Sequence, residues 1–318
     1  MEIISVQYPI GESALARDAS PKALAIGHFD GVHRGHQNVI SHAMTCARAA
    51  GLQGAVMTFH PHPKEVLGRS PHYNASLTPL EDKLERFRRL GVDVVYIVQF
   101  DLDFAKVTPA EFVDDVLRPL RVRRAVVGFD FTFGARGAGK PETLWALGEP
   151  DIGVEIVEPF MQDGDKVSST RIREALMNGR PEEAAELLGE LYAVRGVVVQ
   201  GEGRGRTIGF PTANIRQEDG FFVPRQGVYA IMAETEGRRY PGVLNIGVKP
   251  TFHDSLPEPV MEAHLFDFDG DLYGKTVTVQ FVAFLRTEKK FGGVDELIAQ
   301  IHADADQART LLTAYNKK

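Results

Sequence analysis

Two strings of residues suited to handling phosphate stand far apart in this chain. The first is Gly27-His28-Phe29-Asp30-Gly31-Val32-His33-Arg34-Gly35-His36, answered later by Ser168-Ser169-Thr170-Arg171-Ile172-Arg173. The second is Gly201-Glu202-Gly203-Arg204-Gly205-Arg206-Thr207-Ile208-Gly209-Phe210-Pro211-Thr212-Ala213-Asn214. In the first, His33 and His36 open a helix-like stretch. A helix start offers free backbone N–H groups and a partial positive charge, both of which attract phosphate. Gly31 and Gly35 let the backbone approach a ligand closely. Gly27, Phe29 and Asp30 belong to the same string and are assigned with it to a nucleotide. Transfer of a nucleotidyl group needs no nucleophilic side chain. It needs positioning, and stabilisation of charge on the departing pyrophosphate. The competing reading is a pair of histidines that merely cap and pack.

Ser168, Ser169, Thr170, Arg171 and Arg173 have the composition of a capped helix start with surface arginines. They equally suit triphosphate, through hydroxyls, free N–H groups and guanidinium. In the second string, Gly201, Gly203 and Gly205 can fold backbone amides over phosphates, with Arg206 and Pro211 in the same loop. Thr212 and Asn214 supply a hydroxyl and an amide oxygen, hard ligands suited to Mg²⁺ beside a substrate phosphate. The alternative is a glycine-rich hairpin without a ligand. A third candidate fails on chemistry. Gly134 to Lys140 has the spacing of a P-loop, but Pro141 follows, with no hydroxyl for a metal and no N–H for phosphate.

These strings need elements to hold them. Short apolar runs at 23–28, 54–59, 94–99, 124–128 and 153–157 read as strands, and 37–50 reads as a helix with Val39, Ile40, Ala43 and Ala47 on one face. Thr78-Pro79 and Thr108-Pro109 read as helix starts capped by threonine, with Glu111 completing a capping box at the second. Alternating strands and helices predict a parallel sheet covered on both faces, with ligands outside the carboxyl ends of the strands. The first string sits at such an end. Beyond about residue 180 the pattern changes. After a helix at 181–188, strands at 192–200, 227–234, 240–246, 260–266 and 276–285 follow one another without helices, which predicts an antiparallel barrel or sandwich. A closing helix is expected over 294–312. The fold class is therefore α/β plus β, divided into 1–180 and 181–318.

The 318 residues fit two cores. Lys and Arg number 36 against 43 Asp and Glu, net −7, and both halves are acidic, which argues against a nucleic-acid partner. No apolar run reaches the roughly 20 residues of a membrane span. Met1 to Ile10 is no signal peptide. A single cysteine, Cys46, excludes an intrachain disulfide and fits a reducing, cytoplasmic setting. Its helical stretch predicts a small buried side chain.

The paired strings of the first half resemble the nucleotidylyltransferase superfamily, and Gly-x-Phe-Asp-Gly-Val-His-x-Gly-His-Gln resembles its FAD synthetase branch. Thr58-Phe59-His60-Pro61-His62-Pro63 and Val127 to Gly134 agree, although His60 stands where aspartate is frequent. The second string resembles the riboflavin kinase family. So do Pro224 to Ala230, Asn245 to Phe252, Met261-Glu262-Ala263-His264-Leu265 and Arg286-Thr287-Glu288-Lys289-Lys290-Phe291. The resemblance implies a Rossmann-like FMN adenylyltransferase domain followed by a β-barrel riboflavin kinase domain. It implies ATP as co-substrate, with riboflavin, FMN and FAD as substrates and products, and Mg²⁺ at both sites. It makes Glu262 the general base for the ribityl hydroxyl, and gives Asp130, Arg286 and Phe291 to the flavin. Small molecules are then the partners, with no membrane and no obligatory protein partner.

Overall fold

The computed structural model describes residues 1–11, 20–68, 75–201, 205, 209–218, 220–248 and 259–315. Gly203 and Arg206 of the second string lie outside the described residues, as do 249–252. Packing divides the chain into two compact units, Met1–Ser169 and Thr170–Lys318.

The first unit is built on β1 (Glu2–Val6), β2 (Lys22–Ile26), β3 (Gln53–His60), β4 (Val94–Gln99), β5 (Val122–Gly128) and β6 (Gly153–Val157). They form one parallel sheet in the order β1-β4-β3-β2-β5-β6. All five residues of β2 are buried, as a central parallel strand covered on both faces requires. Leu24, Ile26, Met57 and Tyr96 point to one face and pack with Phe112 and Val116. Ala25, Val56, Val95 and Val126 point to the other, against Ile40, Ala43 and Met44 of helix α1 (Arg34–Ala50). Each such fully buried Val, Ile or Met contributes about 1.5–3 kcal/mol relative to exposure.

Edge strand β1 escaped the sequence reading, because only Ile4 and Val6 of its five residues are buried. The cap expected at Thr78 is also corrected. Helix α2 (Leu80–Arg89) starts from Pro79 with no side-chain cap, and Thr78 is buried instead. Helix α3 (Pro109–Glu111) does show the capping box, Glu111 N donating to Thr108 Oγ1 at 3.2 Å and Thr108 N to Glu111 Oε2 at 2.7 Å. It runs on into a π-helical turn at Phe112–Leu117. Helix α4 (Pro141–Gly148) then returns the chain to β6. The rejected P-loop spacing is a small closed turn in which Phe133 and Gly139 exchange backbone hydrogen bonds.

The second unit opens with α5 (Ser169–Met177, starting at the division) and α6 (Pro181–Leu188). Strands β7 (Ala193–Val199), β8 (Ala213–Gln217), β9 (Gly227–Thr235), β10 (Arg238–Val248), β11 (Pro259–Leu265) and β12 (Thr276–Arg286) follow. They close into a barrel in the order β8-β11-β10-β9-β12-β7, all pairs antiparallel. Closure removes every free sheet edge. Strand β8 is the one the sequence reading missed, since its five residues include Asn214, Arg216 and Gln217 and only Ile215 is buried. Helix α7 (Val294–Tyr315) lays Ala305, Ala308 and Leu312 on the outer barrel face at Met232, Val243, Phe266 and Val282.

Candidate active sites

In the first unit the chain leaves β2 through a turn with three positive φ angles, Phe29 at 55°, Gly31 at 85° and Val32 at 40°. Glycine suits the middle one because a side chain there would be strained. Asp30, almost fully buried, accepts from Leu77 N at 2.9 Å and Thr78 N at 3.3 Å, tying the turn to the segment before α2. Ser169 Oγ donates to Asp30 O at 2.8 Å. Asp30 is therefore a brace for the loop.

His33 is the N-cap of α1, and its Nδ1 accepts from His36 N at 3.3 Å. With Nδ1 accepting, the proton of the neutral ring sits on Nε2, which can donate. The two rings stack with centroids 3.5 Å apart, and His36 meets the edge of Phe29. Burial pushes His33 down to about 4, against an opposing pull from Asp30. His36 and His28 are also held well below the ordinary histidine range, chiefly by burial. All three are neutral at pH 7. Among the described residues, the buried Nδ1 atoms of His36 and His28 have no hydrogen-bond partner.

The site also holds a lysine that the sequence reading did not select. Lys83 of α2 is buried and donates to His28 O at 2.9 Å, and burial lowers it to about 8. It remains cationic at pH 7. Thr58 Oγ1 donates to the same carbonyl at 2.9 Å. His62 lies against His28 with centroids 3.8 Å apart, while His60 is exposed. Asp130 is exposed and ion-paired with Lys166, whose ammonium lies 4.7 Å from the Phe129 ring centroid. Gly27 is packed under the Phe29 ring and Gly35 under the His33 ring. Of the residues assigned to triphosphate beyond the division, Arg171 pairs with Glu183 and Arg173 is buried over the Phe222 ring.

In the second unit the register of the barrel assembles the site. Asn214 of β8 faces Glu262 of β11, and Glu262 faces Asn245 of β10. One strand further, Asn245 faces Val228, which faces Arg286 of β12. Direct partners share a sheet face, so these residues form one row on the outside of the barrel. Met261 and Ala263, flanking Glu262, are buried. A cavity of about 290 Å³ opens over this row, lined by Gly205, Thr212, Asn245, Glu262, Arg286 and Phe291 among others, with Leu297 and Ile301 of α7 on its apolar side. A second cavity of about 310 Å³ is lined by Pro211, Thr212, Ala213 and the 268–273 turn. Thr212 lines both.

Glycine at 201 and 205 is required by close approach. A Cβ on Gly201 would collide with the Asn214 side chain, and one on Gly205 with Phe210 O. The Pro211–Asn214 segment is further held by His264, whose Nδ1 lies 2.8 Å from Pro211 O. Arg286 is engaged by Asp304 of α7, its Nε donating to Oδ1 at 2.9 Å and Nη2 to Oδ2 at 2.7 Å. Gln300 supports the same carboxylate at 2.9 Å. Arg286 thus fixes the cavity wall, and the planar fork that suits a carboxylate is already in use. Asp304 and Gln300 carry no motif, so no signal in the sequence selected them. The donor set at Thr212 and Asn214 consists of hard oxygens and fits Mg²⁺.

Comparison with known proteins adds a family. A family profile described as FAD synthetase matches residues 15–171, and one described as riboflavin kinase matches 188–312. A bifunctional riboflavin kinase/FMN adenylyltransferase of Bacillus subtilis is 43% identical over 97% of this chain and 97% of its own. The protein of that name from Escherichia coli K12 is 40% identical, covering 90% of this chain and 91% of its own. A solved structure titled as a macrolide-efflux protein from Streptococcus pneumoniae superposes with a TM-score of 0.87 at 35% identity, covering 96% of this chain and 99% of that one. Among the described residues of this chain, no helix is long and apolar enough to cross a membrane.

Proposed function

The chain belongs to the bifunctional riboflavin kinase/FMN adenylyltransferase family, phosphorylating riboflavin to FMN and adenylylating FMN to FAD, and we propose how its residues divide that work. Adenylyl transfer belongs to 1–180 and phosphorylation to 181–318. The observation that carries the kinase assignment is the shared wall of the two barrel cavities. Glu262 lines one, Thr212 lines both, and phosphoryl transfer needs two substrates that meet.

Riboflavin occupies the cavity under Phe291, with its ribityl 5′-hydroxyl at Glu262. ATP occupies the other, with its phosphates toward Gly201, Gly205 and Thr212. Glu262 accepts the hydroxyl proton as the new O–P bond forms at the γ-phosphorus and the bond to ADP breaks. Thr212 and Asn214 would hold Mg²⁺, which would supply neutralisation of charge on the phosphates. Arg286, locked by Asp304, keeps the Phe291 segment in place over the flavin.

At the first site the FMN phosphate is already anionic and needs no base. Its oxygen attacks the α-phosphorus of ATP, and the bond to pyrophosphate breaks. His33 Nε2–H and His36 donate to the leaving oxyanions as neutral rings, Lys83 supplies fixed positive charge nearby, and Asp30 holds the turn. Gly27, Phe29, Gly31, Gly35, Ser168 and Ser169 shape the nucleotide pocket, and Asp130 lies on the flavin side. The single cysteine supports a cytoplasmic setting, and the chemistry asks for no protein partner.

Chromatography of flavins after incubation with riboflavin, Mg²⁺ and ATP tests the division. Glu262→Ala abolishes FMN formation and spares FAD formation from supplied FMN; His36→Ala does the reverse. Loss of both activities in a folded single variant refutes the two-site reading.

A further inference from the structure

Away from both nucleotide sites, three side chains of different ligand chemistry converge where α1 crosses edge strand β6. His42 and Cys46 are four residues apart on α1 and so lie on one helical face. Glu155 of β6 meets both. Its Oε2 lies 2.5 Å from His42 Nε2, and its Oε1 accepts from Cys46 Sγ at 3.3 Å. One ligand atom from each residue falls within 4.8 Å of the others. The burial expected for Cys46 is thus only partial, and its thiol faces a carboxylate.

We propose that His42, Cys46 and Glu155 form a binding site for Zn²⁺. Imidazole, thiolate and carboxylate are the ligands Zn²⁺ takes, and three protein ligands leave a fourth position for water. Thiolate selects against Mg²⁺, so the site is chemically separate from the substrate metal. It is separate in space too. His42 stands about 9 Å along the helix from His36, from the 1.5 Å rise per residue.

The geometry needs only a small adjustment. Tetrahedral Zn²⁺ with bonds of about 2.0–2.2 Å wants its nitrogen and oxygen ligands about 3.3 Å apart. The His42–Glu155 pair, now at 2.5 Å, opens by somewhat under about 1 Å. Both side chains are part-exposed, at 46% and 37%, so they are free to do so. Binding replaces the Cys46 thiol proton by the metal, and that proton passes to solvent. Arg124 on β5 places positive charge near Cys46 and Glu155. Burial and the neighbouring Glu155 carboxylate push the Cys46 thiol up, Arg124 only partly offsetting them, and the same guanidinium opposes the cation, so affinity is limited. A bound ion would clamp α1 to the sheet edge.

The test uses the full-length reduced protein, stripped with a chelator and titrated with Co²⁺ as a visible reporter. A thiolate-to-Co²⁺ charge-transfer band that saturates at one equivalent and is bleached by Zn²⁺ supports the site. No band, a band that survives Cys46→Ser, or bleaching by Mg²⁺ overturns it. His42→Ala and Glu155→Gln each weaken Zn²⁺ binding by about tenfold or more; unchanged binding in both overturns the ligand set. Should a variant fold poorly, the wild type still decides. Cys46 is the chain's one cysteine, and one equivalent of Zn²⁺ must slow its alkylation by iodoacetamide. An unchanged alkylation rate overturns the proposal.

Discussion

His33→Asn separates the two things His33 does. Asparagine is a good N-cap and can still accept from His36 N, but it cannot titrate. In the wild type, burial places His33 at about 4 against 6.5 for an ordinary histidine. The unfolded chain therefore binds the proton first. The stability linked to this group is fully present above about pH 6.5 and is lost as pH falls toward 4. With those two pKa values, moving from pH 7 to pH 5 removes about 2 kcal/mol from the first unit, rising to about 3 kcal/mol at pH 4. Against a urea slope of about 2 kcal/mol/M, the fall to pH 5 moves the midpoint by about 1 M. The chain's single tryptophan, Trp145 on α4, is largely exposed, so unfolding of this unit is followed by hydrogen exchange of the buried β2 amides. The asparagine variant starts less stable at pH 7, because a buried ring is lost. Its further loss between pH 7 and pH 5 must be smaller than wild type's by about 2 kcal/mol. Equal losses in the two proteins would refute a neutral, buried His33 and with it the neutral-donor role in adenylyl transfer.

Three other outcomes follow from the same geometry. Lys83→Met lowers kcat/KM of FAD formation by about 10–100-fold through loss of a fixed positive charge. In the wild type that activity declines as pH rises through about 8, where buried Lys83 loses its proton, and a decline that persists in the variant refutes the charge role. Asp304→Asn leaves the largely buried Arg286 without its carboxylate, at a cost of about 3 kcal/mol to the second unit. Steady-state kinetics should show KM for riboflavin rising more than kcat falls; the opposite split would place Arg286 in the chemical step. Chelation of Mg²⁺ stops riboflavin phosphorylation, and Thr212→Val raises the Mg²⁺ concentration needed to restore it, read by titrating the metal into the assay.

The helical and strand periodicities located most elements, and the failures have physical causes. Strand β1 shows too little alternation because an edge strand buries only part of its length. Strand β8 carries Asn214 and Arg216 outward and Ile215 inward, so five residues held one apolar signal. Thr78 looked like a cap because cap preference is read locally, whereas Asp30 accepts both Leu77 N and Thr78 N from a distant turn. In sequence, Lys83 is one of several charges between Leu80 and Arg89. Its burial against His28 O comes from where the turn after β2 passes, and no neighbour in sequence announces it.

By itself the sequence determined which chemistry is present. The histidine and glycine strings present residue types and a spacing suited to phosphate, and local spacing is set by backbone geometry over a few residues. Tertiary structure decided which groups act together and in what state. Glu262, Asn214, Asn245 and Arg286 become one row only through the barrel register, which depends on hydrogen bonds between strands remote in sequence. Neutrality of His33 and His36 comes from burial beneath the packed turn, since desolvation is a property of the whole surrounding shell. The convergence of His42, Cys46 and Glu155 likewise exists only because α1 packs across β6, over a hundred residues later in the chain.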